Sequence, residues 1–186
     1  MYGGGTFGLM GEVAKTLVSL SGPDAVHGII PEALVKYERD PSKTTNGSGG
    51  SGKEAPLVLP EEEIFGRTTV VKDMHTRKHM MAQEVIQGGP GSGFVALSGG
   101  YGTMEELLET ATWNQLGIHT KGICVLNING YYDGLLQWIN KSAKEGFIRG
   151  GNADIIGQAK TAEDAIRVLK EYKNSASSLK LEWGNE

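Results

Sequence analysis

The chain has 186 residues, of which 39% are hydrophobic and 22% charged, with a formal charge of −4, a size and balance that fit one domain with a substantial core. The negative net field argues against a general surface for nucleic acid or anionic membrane. Cys124 is the single cysteine and has no intrachain disulfide partner, so a reducing compartment, the cytosol, is expected. No run approaches the roughly 20 apolar residues of a membrane helix, and a signal peptide's charged and apolar regions are not seen at the N-terminus.

The first segment, Tyr2-Gly3-Gly4-Gly5-Thr6-Phe7-Gly8, satisfies GxGxxG through Gly3, Gly5 and Gly8. A dinucleotide fingerprint also requires a strand before the glycines and an acidic residue about 20 positions later. Only Met1 and Tyr2 precede them, which leaves two other readings: one wall of a site for a nucleotide monophosphate, or glycines that let helix and strand pack closely. A helix is predicted near Leu9 to Leu20 and a strand at Ala25 to Ile30. Asp40 to Lys53 is rich in Gly and Ser and predicts a flexible loop, extending to about residue 62. A strand follows at Thr68 to Val71.

Asp73-Met74-His75-Thr76-Arg77-Lys78-His79-Met80-Met81 reads as the start of a helix with Asp73 as N-cap and Met74, Arg77 and Met81 sharing a face. Arg77 can then turn inward; in the competing reading Arg77, Lys78 and both histidines form a solvated basic face, with the methionines as core filler. The four histidines, His27, His75, His79 and His119, offer one i,i+4 pair that lacks the glutamate of HExxH, so no metal is implied. After the Gln87 to Ser92 insertion (QGGPGS), Gly93 to Leu97 (GFVAL) has the content of a short buried strand.

That strand runs into Ser98-Gly99-Gly100-Tyr101-Gly102-Thr103-Met104-Glu105-Glu106, and apolar residues recur at helical spacing from Thr103 onward. Strand, glycine turn and helix bring backbone amides and a helix N-terminus to bear on an anion, with phosphate the natural one. No Gly-Lys-Ser/Thr follows, so this is not a Walker A loop and a monophosphate fits better than a triphosphate. Spacing alone favours Thr103 and Glu106 as a capping box. A strand at Gly122 to Asn127, a helix at Tyr132 to Glu145, a short strand near Ala153 to Ile156 and a helix at Ala162 to Tyr172 complete the order. A tail at about 174–186 follows. The alternation predicts an α/β fold with a parallel, Rossmann-like, doubly wound sheet in three layers, α/β/α, forming a single domain.

The combination MHTRKHMM, FVALSGGYGTMEELLETATWNQLGIHTKG, LNINGYYDGLLQWI and EGFI resembles the LONELY GUY family of cytokinin-activating phosphoribohydrolases, from Tyr2 to about Ile148. Its signature PGGxGTxxE corresponds to Ser98 to Glu106, with Ser98 in place of the proline, which leaves a loop with more conformational freedom. Family members begin with a further strand and helix, so the expected sheet lacks that first unit. The resemblance implies hydrolysis of the N-glycosidic bond of an N6-substituted adenosine 5′-monophosphate. It assigns catalysis to Arg77 and Glu106, and substrate binding to Met74, Lys78, Gly99, Gly100, Gly102 and Thr103, with Gly4, Gly5 and Thr6 in the second glycine loop. It implies no cofactor and a homodimer, while Trp113, Gln115 and the NGYYDGLL segment read as packing. The alternatives are a non-catalytic nucleotide or molybdenum-cofactor carrier of the same superfamily and an inactive truncated homologue. A lysine decarboxylase, an older label of the family, lacks a pyridoxal-phosphate context in the sequence.

Overall fold

The computed structural model describes residues 1–35 and 59–174. The chain divides into two compact units, Met1–Gln83 and Glu84–Glu186. The expected loop at Asp40 to Lys53 and the tail beyond residue 174 lie outside the described residues.

In the first unit, helix α1 (Gly8–Ser21) buries Gly11, Ala14 and Val18, the spacing of one helical face. Ala14 and Val18 pack with Val26, Tyr2 and Phe65. Gly11 is required by closeness, because a Cβ there would lie 2.0 Å from the carbonyl oxygen of Thr6. Strand β1 (His27–Pro31) pairs in parallel with β2 (Arg67–Val71), Ile29 opposite Thr69. The strand predicted from Ala25 begins later because Pro23–Ala25 winds as a 3-10 turn, for which proline's fixed φ is suited. Tyr2 adds a single parallel bridge to β1: its N–H donates to the His27 carbonyl (2.9 Å) and its own carbonyl accepts from Ile29 N–H (3.1 Å). Gly4, at φ +75°, ends that extended run. Two short helices, α2 (Glu32–Val35) and α3 (Glu62–Phe65), were not predicted; α3 begins where the loop was expected to end. Helix α4 (Met74–Gln87) follows β2 and runs across the boundary between the units.

The second unit is built on β3 (Gly93–Ala96), β4 (Gly122–Leu126) and β5 (Ile156–Ala159), all parallel, in the order β3-β4-β5. The central strand is buried from Gly122 to Val125, as an apolar strand covered on both faces must be. Ile123 and Val125 point into one core with Leu107 of α5 (Tyr101–Gln115) and Leu135 of α6 (Asp133–Lys144). Cys124 and Leu126 point the other way, onto Ala165, Val168 and Leu169 of α7 (Ala162–Glu171). This alternation creates three layers, α/β/α.

The architecture is Rossmann-like α/β with parallel strands flanked by helices, and the strands stand in two sheets, β1-β2 and β3-β4-β5. The last strand lies at Ile156–Ala159 rather than Ala153 to Ile156, because Gly150–Asp154 winds as a 3-10 turn. No helix among the described residues is long and apolar enough to cross a membrane.

Candidate active site

In the first unit, Asp73 caps α4 as its position predicts. Its carboxylate accepts from Thr76 N–H (2.8 Å) and Thr76 Oγ1 (3.1 Å), and the bond from the Thr76 amide, then that from its hydroxyl, holds the carboxyl below the usual range. One turn on, Arg77 is only 9% exposed, which decides against the solvated basic face for this residue. Its Nε donates to the carbonyl of Ile29, at 3.1 Å. Its Nη2 occupies the space that a Cβ on Gly3 would take, at 2.1 Å. The first glycine run is therefore a seat for the guanidinium. Gly4 is buried against Ile29 and Ile30, where a Cβ would approach the Ile30 Cβ at 3.0 Å. Gly5 is buried and Thr6 half-buried beside it. On α4 Lys78 is half-buried, His75 and His79 are exposed, and Met74 is 43% exposed.

In the second unit, α5 starts at Tyr101, with Gly100 as N-cap and no side-chain cap. The first intrahelical bond runs from Met104 N–H to the Gly100 carbonyl, at 3.1 Å. The amides ahead of it belong to the set a helix N-terminus leaves without intrahelical partners. The capping box read from spacing is thus corrected: Thr103 is the third helical residue, inside the first turn, and cannot cap a helix that has already begun. A Cβ on Gly99 would meet Thr103 Oγ1 at 2.2 Å, so this glycine lets Thr103 fold back over the turn, whereas above Gly100 and Gly102 a Cβ would meet nothing within 4 Å. The space over those two glycines is open to an incoming anion. Glu106 is half-buried and Glu105 exposed. Glu106 lies three residues after Thr103, on the same helical face, and helical side chains lean toward the N-terminus.

The NGYYDGLL segment, which reads from its residues as packing, has a polar task in the structure. Tyr131 OH donates to the carbonyl of Gly99 at 2.7 Å, and Tyr132 OH donates to the carbonyl of Leu97. Both phenols hold the strand exit that leads into the glycine turn. The two rings pack edge to face, with centroids 5.2 Å apart and planes at 84°. Burial, followed by the neighbouring Tyr131, raises the pKa of the Tyr132 hydroxyl, which keeps it a donor. The adjacent aromatic pair after Asn129-Gly130 was the available signal, but its partners lie more than 30 residues away.

Parallel strands flanked by helices, with a glycine turn leading from β3 into α5, define the class as a Rossmann-like α/β protein. The family model described as "Possible lysine decarboxylase" matches residues 10–169. The chain is 52% identical over 183 residues to a "Bifunctional cytokinin biosynthesis protein" of Fusarium pseudograminearum, covering 98% of this chain and 35% of that protein. It is 43% identical to a "Probable cytokinin riboside 5'-monophosphate phosphoribohydrolase" of Oryza sativa subsp. japonica, covering 94% of this chain and 66% of the relative. A cytokinin riboside 5'-monophosphate phosphoribohydrolase of Arabidopsis thaliana is 40% identical over 185 residues, 98% of this chain and 73% of that protein. The chain belongs to this family, the LONELY GUY (LOG) family. It spans about a third of the bifunctional relative and about two thirds of the rice one.

Proposed function

We propose that the chain hydrolyses the N-glycosidic bond of an N6-substituted adenosine 5′-monophosphate, releasing the free base and ribose 5-phosphate. The observation that carries this reading is the uncapped N-terminus of α5, open above Gly100 and Gly102, with Glu106 further along the same helix. Amides and the helix dipole favour a phosphate there, and the names of the plant relatives supply the substrate class. Glu106 stands about 7.5 Å along the axis from Tyr101 at the helical rise of 1.5 Å per residue, with its side chain leaning back toward the turn.

In this reading Gly99, Gly100, Gly102 and Thr103 bind the 5′-phosphate. As the bond from C1′ to the base nitrogen breaks, its electron pair leaves with the base and positive charge grows on C1′ and the ring oxygen. The Glu106 carboxylate stabilises that charge and takes a proton from the water whose oxygen bonds to C1′. The departing base nitrogen acquires a proton equivalent to the one Glu106 takes from the water, so that OH goes to C1′, H goes to the base and the carboxylate is regenerated. By family resemblance Arg77 acts on the phosphate or ribose or assists the leaving base, with Lys78 lending positive charge, Met74 lining the base pocket and Gly4, Gly5 and Thr6 binding substrate.

The exposed apolar face of α1, made by Leu9, Met10, Val13, Leu17 and Leu20, supports a homodimer, since a contiguous apolar face on a helix calls for a partner. A monomeric mass by light scattering at micromolar protein overturns that part. The lone, buried Cys124 supports work in the cytosol. The activity is tested by incubating the purified chain with N6-isopentenyl-AMP and, separately, with AMP and the N6-isopentenyl riboside. Release of base and ribose 5-phosphate from the monophosphate alone is expected. Folded protein that binds AMP and releases nothing points instead to a non-catalytic nucleotide carrier.

A further inference from the structure

We propose that Tyr131 is a positioning residue whose hydroxyl aims the anion-binding amides of the glycine turn; the inference rests on the phosphoribohydrolase reading for its substrate. A trans peptide is planar, with its C=O and N–H pointing in opposite directions. Tyr131 OH holds the Gly99 carbonyl at 2.7 Å, and so directs the Gly100 N–H away from the phenol. Tyr132 OH holds the Leu97 carbonyl and fixes the Ser98 N–H in the same way. Two peptides of the turn, separated by one, are thus tethered by neighbouring side chains. Ser98 and the glycines have no φ lock of their own, so orientation must come from outside the loop.

The tether is itself rigidly mounted. Asn127 is 3% exposed; its Oδ1 accepts from Tyr132 N–H (2.7 Å), its Nδ2 donates to Asp133 Oδ1 (2.8 Å), and its backbone N–H donates to the Ala159 carbonyl of β5 (2.7 Å). Asn129 (φ +52°) and Gly130 (φ +74°) turn the chain in the left-handed region, and a Cβ on Gly130 would approach Asp133 Oδ2 at 2.5 Å. Tyr132 is 1% exposed and anchors the core, whereas Tyr131 is 54% exposed. An exposed phenol contributes little to the core, so its hydroxyl can be removed with the fold intact.

The test is Tyr131→Phe in the full chain, which keeps the ring and deletes the hydroxyl. Affinity for AMP, by calorimetry, is expected to fall about 3- to 10-fold, the scale of one lost hydrogen bond, with adenosine affinity changing less than about twofold. The amide order parameters without ligand, by NMR relaxation, are expected to fall across Gly99–Thr103 and to stay unchanged in β4. Unchanged order in the turn overturns the proposal even in an active enzyme, as does equal weakening of AMP and adenosine with order lost throughout the unit. Loss of order confined to the turn supports the tether even if the wild-type chain releases no base from any nucleotide, the result that would overturn the hydrolase reading alone.

Discussion

A Cβ on Gly3 would lie 2.1 Å from Nη2 of Arg77, so the guanidinium keeps its place only because residue 3 has no side chain. With its Nε bound to the Ile29 carbonyl and Nη2 in the room that Gly3 leaves, the orientation of Arg77 depends on the glycine run. Gly3→Ala is expected to push the guanidinium aside. Overpacking costs about 1–3 kcal/mol of stability, and on the role proposed for Arg77 a displacement of about 1 Å costs roughly 10²-fold in kcat/KM. Steady-state kinetics beside a urea melt check this, and wild-type kcat/KM in the variant would show that the position of Arg77 is immaterial.

Glu106→Gln keeps the shape of the side chain and removes its charge. Because α5 begins at Tyr101 and Gly100 is its N-cap, the substitution removes no capping box. Turnover is expected to fall roughly 10²- to 10⁴-fold, the range of a lost general base, in single-turnover assays at saturating substrate. Undiminished turnover would return Glu106 to a structural role.

The two neighbouring glycines of the turn separate binding from folding. A Cβ on Gly99 collides with Thr103 Oγ1, whereas one on Gly100 meets nothing within 4 Å. Gly100→Ala is therefore expected to melt within about 1 °C of wild type, a shift that corresponds to about 0.25–0.5 kcal/mol in a chain of this size, while weakening AMP binding, because the methyl group enters the anion's space. Gly99→Ala is expected to lower the melting temperature. Equal effects of the two on melting and on binding would contradict this assignment.

His119 links pH to stability. It is 4% exposed, its Nδ1 accepts from Lys121 N–H (3.1 Å) and its Nε2 lies 2.9 Å from the Thr110 carbonyl, an arrangement that suits the neutral ring protonated on Nε2. Burial lowers its pKa below 6.5, the Thr110 carbonyl opposes this, and the charge of Lys121 adds to the lowering. The unfolded chain therefore binds the proton first as pH falls. The contribution is fully present above about pH 6.5 and is lost between there and the depressed folded value. Urea titrations from pH 8 to pH 5 should show wild type losing more stability than His119→Gln; parallel curves would exclude the linkage.

Cys124 is fully buried, and burial pushes its thiol up to about 11. The thiolate that reacts with disulfide reagents is scarce in the folded state and shielded by α7. Labelling by an aromatic disulfide is expected to be slow in buffer and to accelerate as urea opens the second unit. Rapid stoichiometric labelling without denaturant would contradict the burial.

Much of the local structure was legible in the residues themselves. Asp73, three positions before Thr76 and four before Arg77, marks the first turn of α4, and GICVL reads as a buried strand because Ile123 to Leu126 form an unbroken apolar run. The glycine turn between GFVAL and an apolar-periodic helix was equally plain. These signals arise from backbone geometry within a few residues: caps, a period of 2 or 3.6, and glycine's freedom in φ. Where two local readings share one spacing, the residues could not choose. Thr103 and Glu106 have the separation of a capping box, but Gly99, by admitting Thr103 over the turn, allows the helix to start earlier.

By itself the sequence determined the order of the five strands and of the five longer helices among the described residues, the glycine turn and the family. Only the tertiary structure decided what its polar side chains touch. Arg77 turns inward because the Ile29 carbonyl, 48 residues away, accepts its Nε, and because Gly3 leaves room. Tyr131 reaches Gly99 across 32 residues, a bond that packing in three dimensions creates and no periodicity records. Local propensities act over a turn of helix or a pair of strand residues, whereas a side chain's partner is set by which distant backbone the hydrophobic cores bring within about 3 Å.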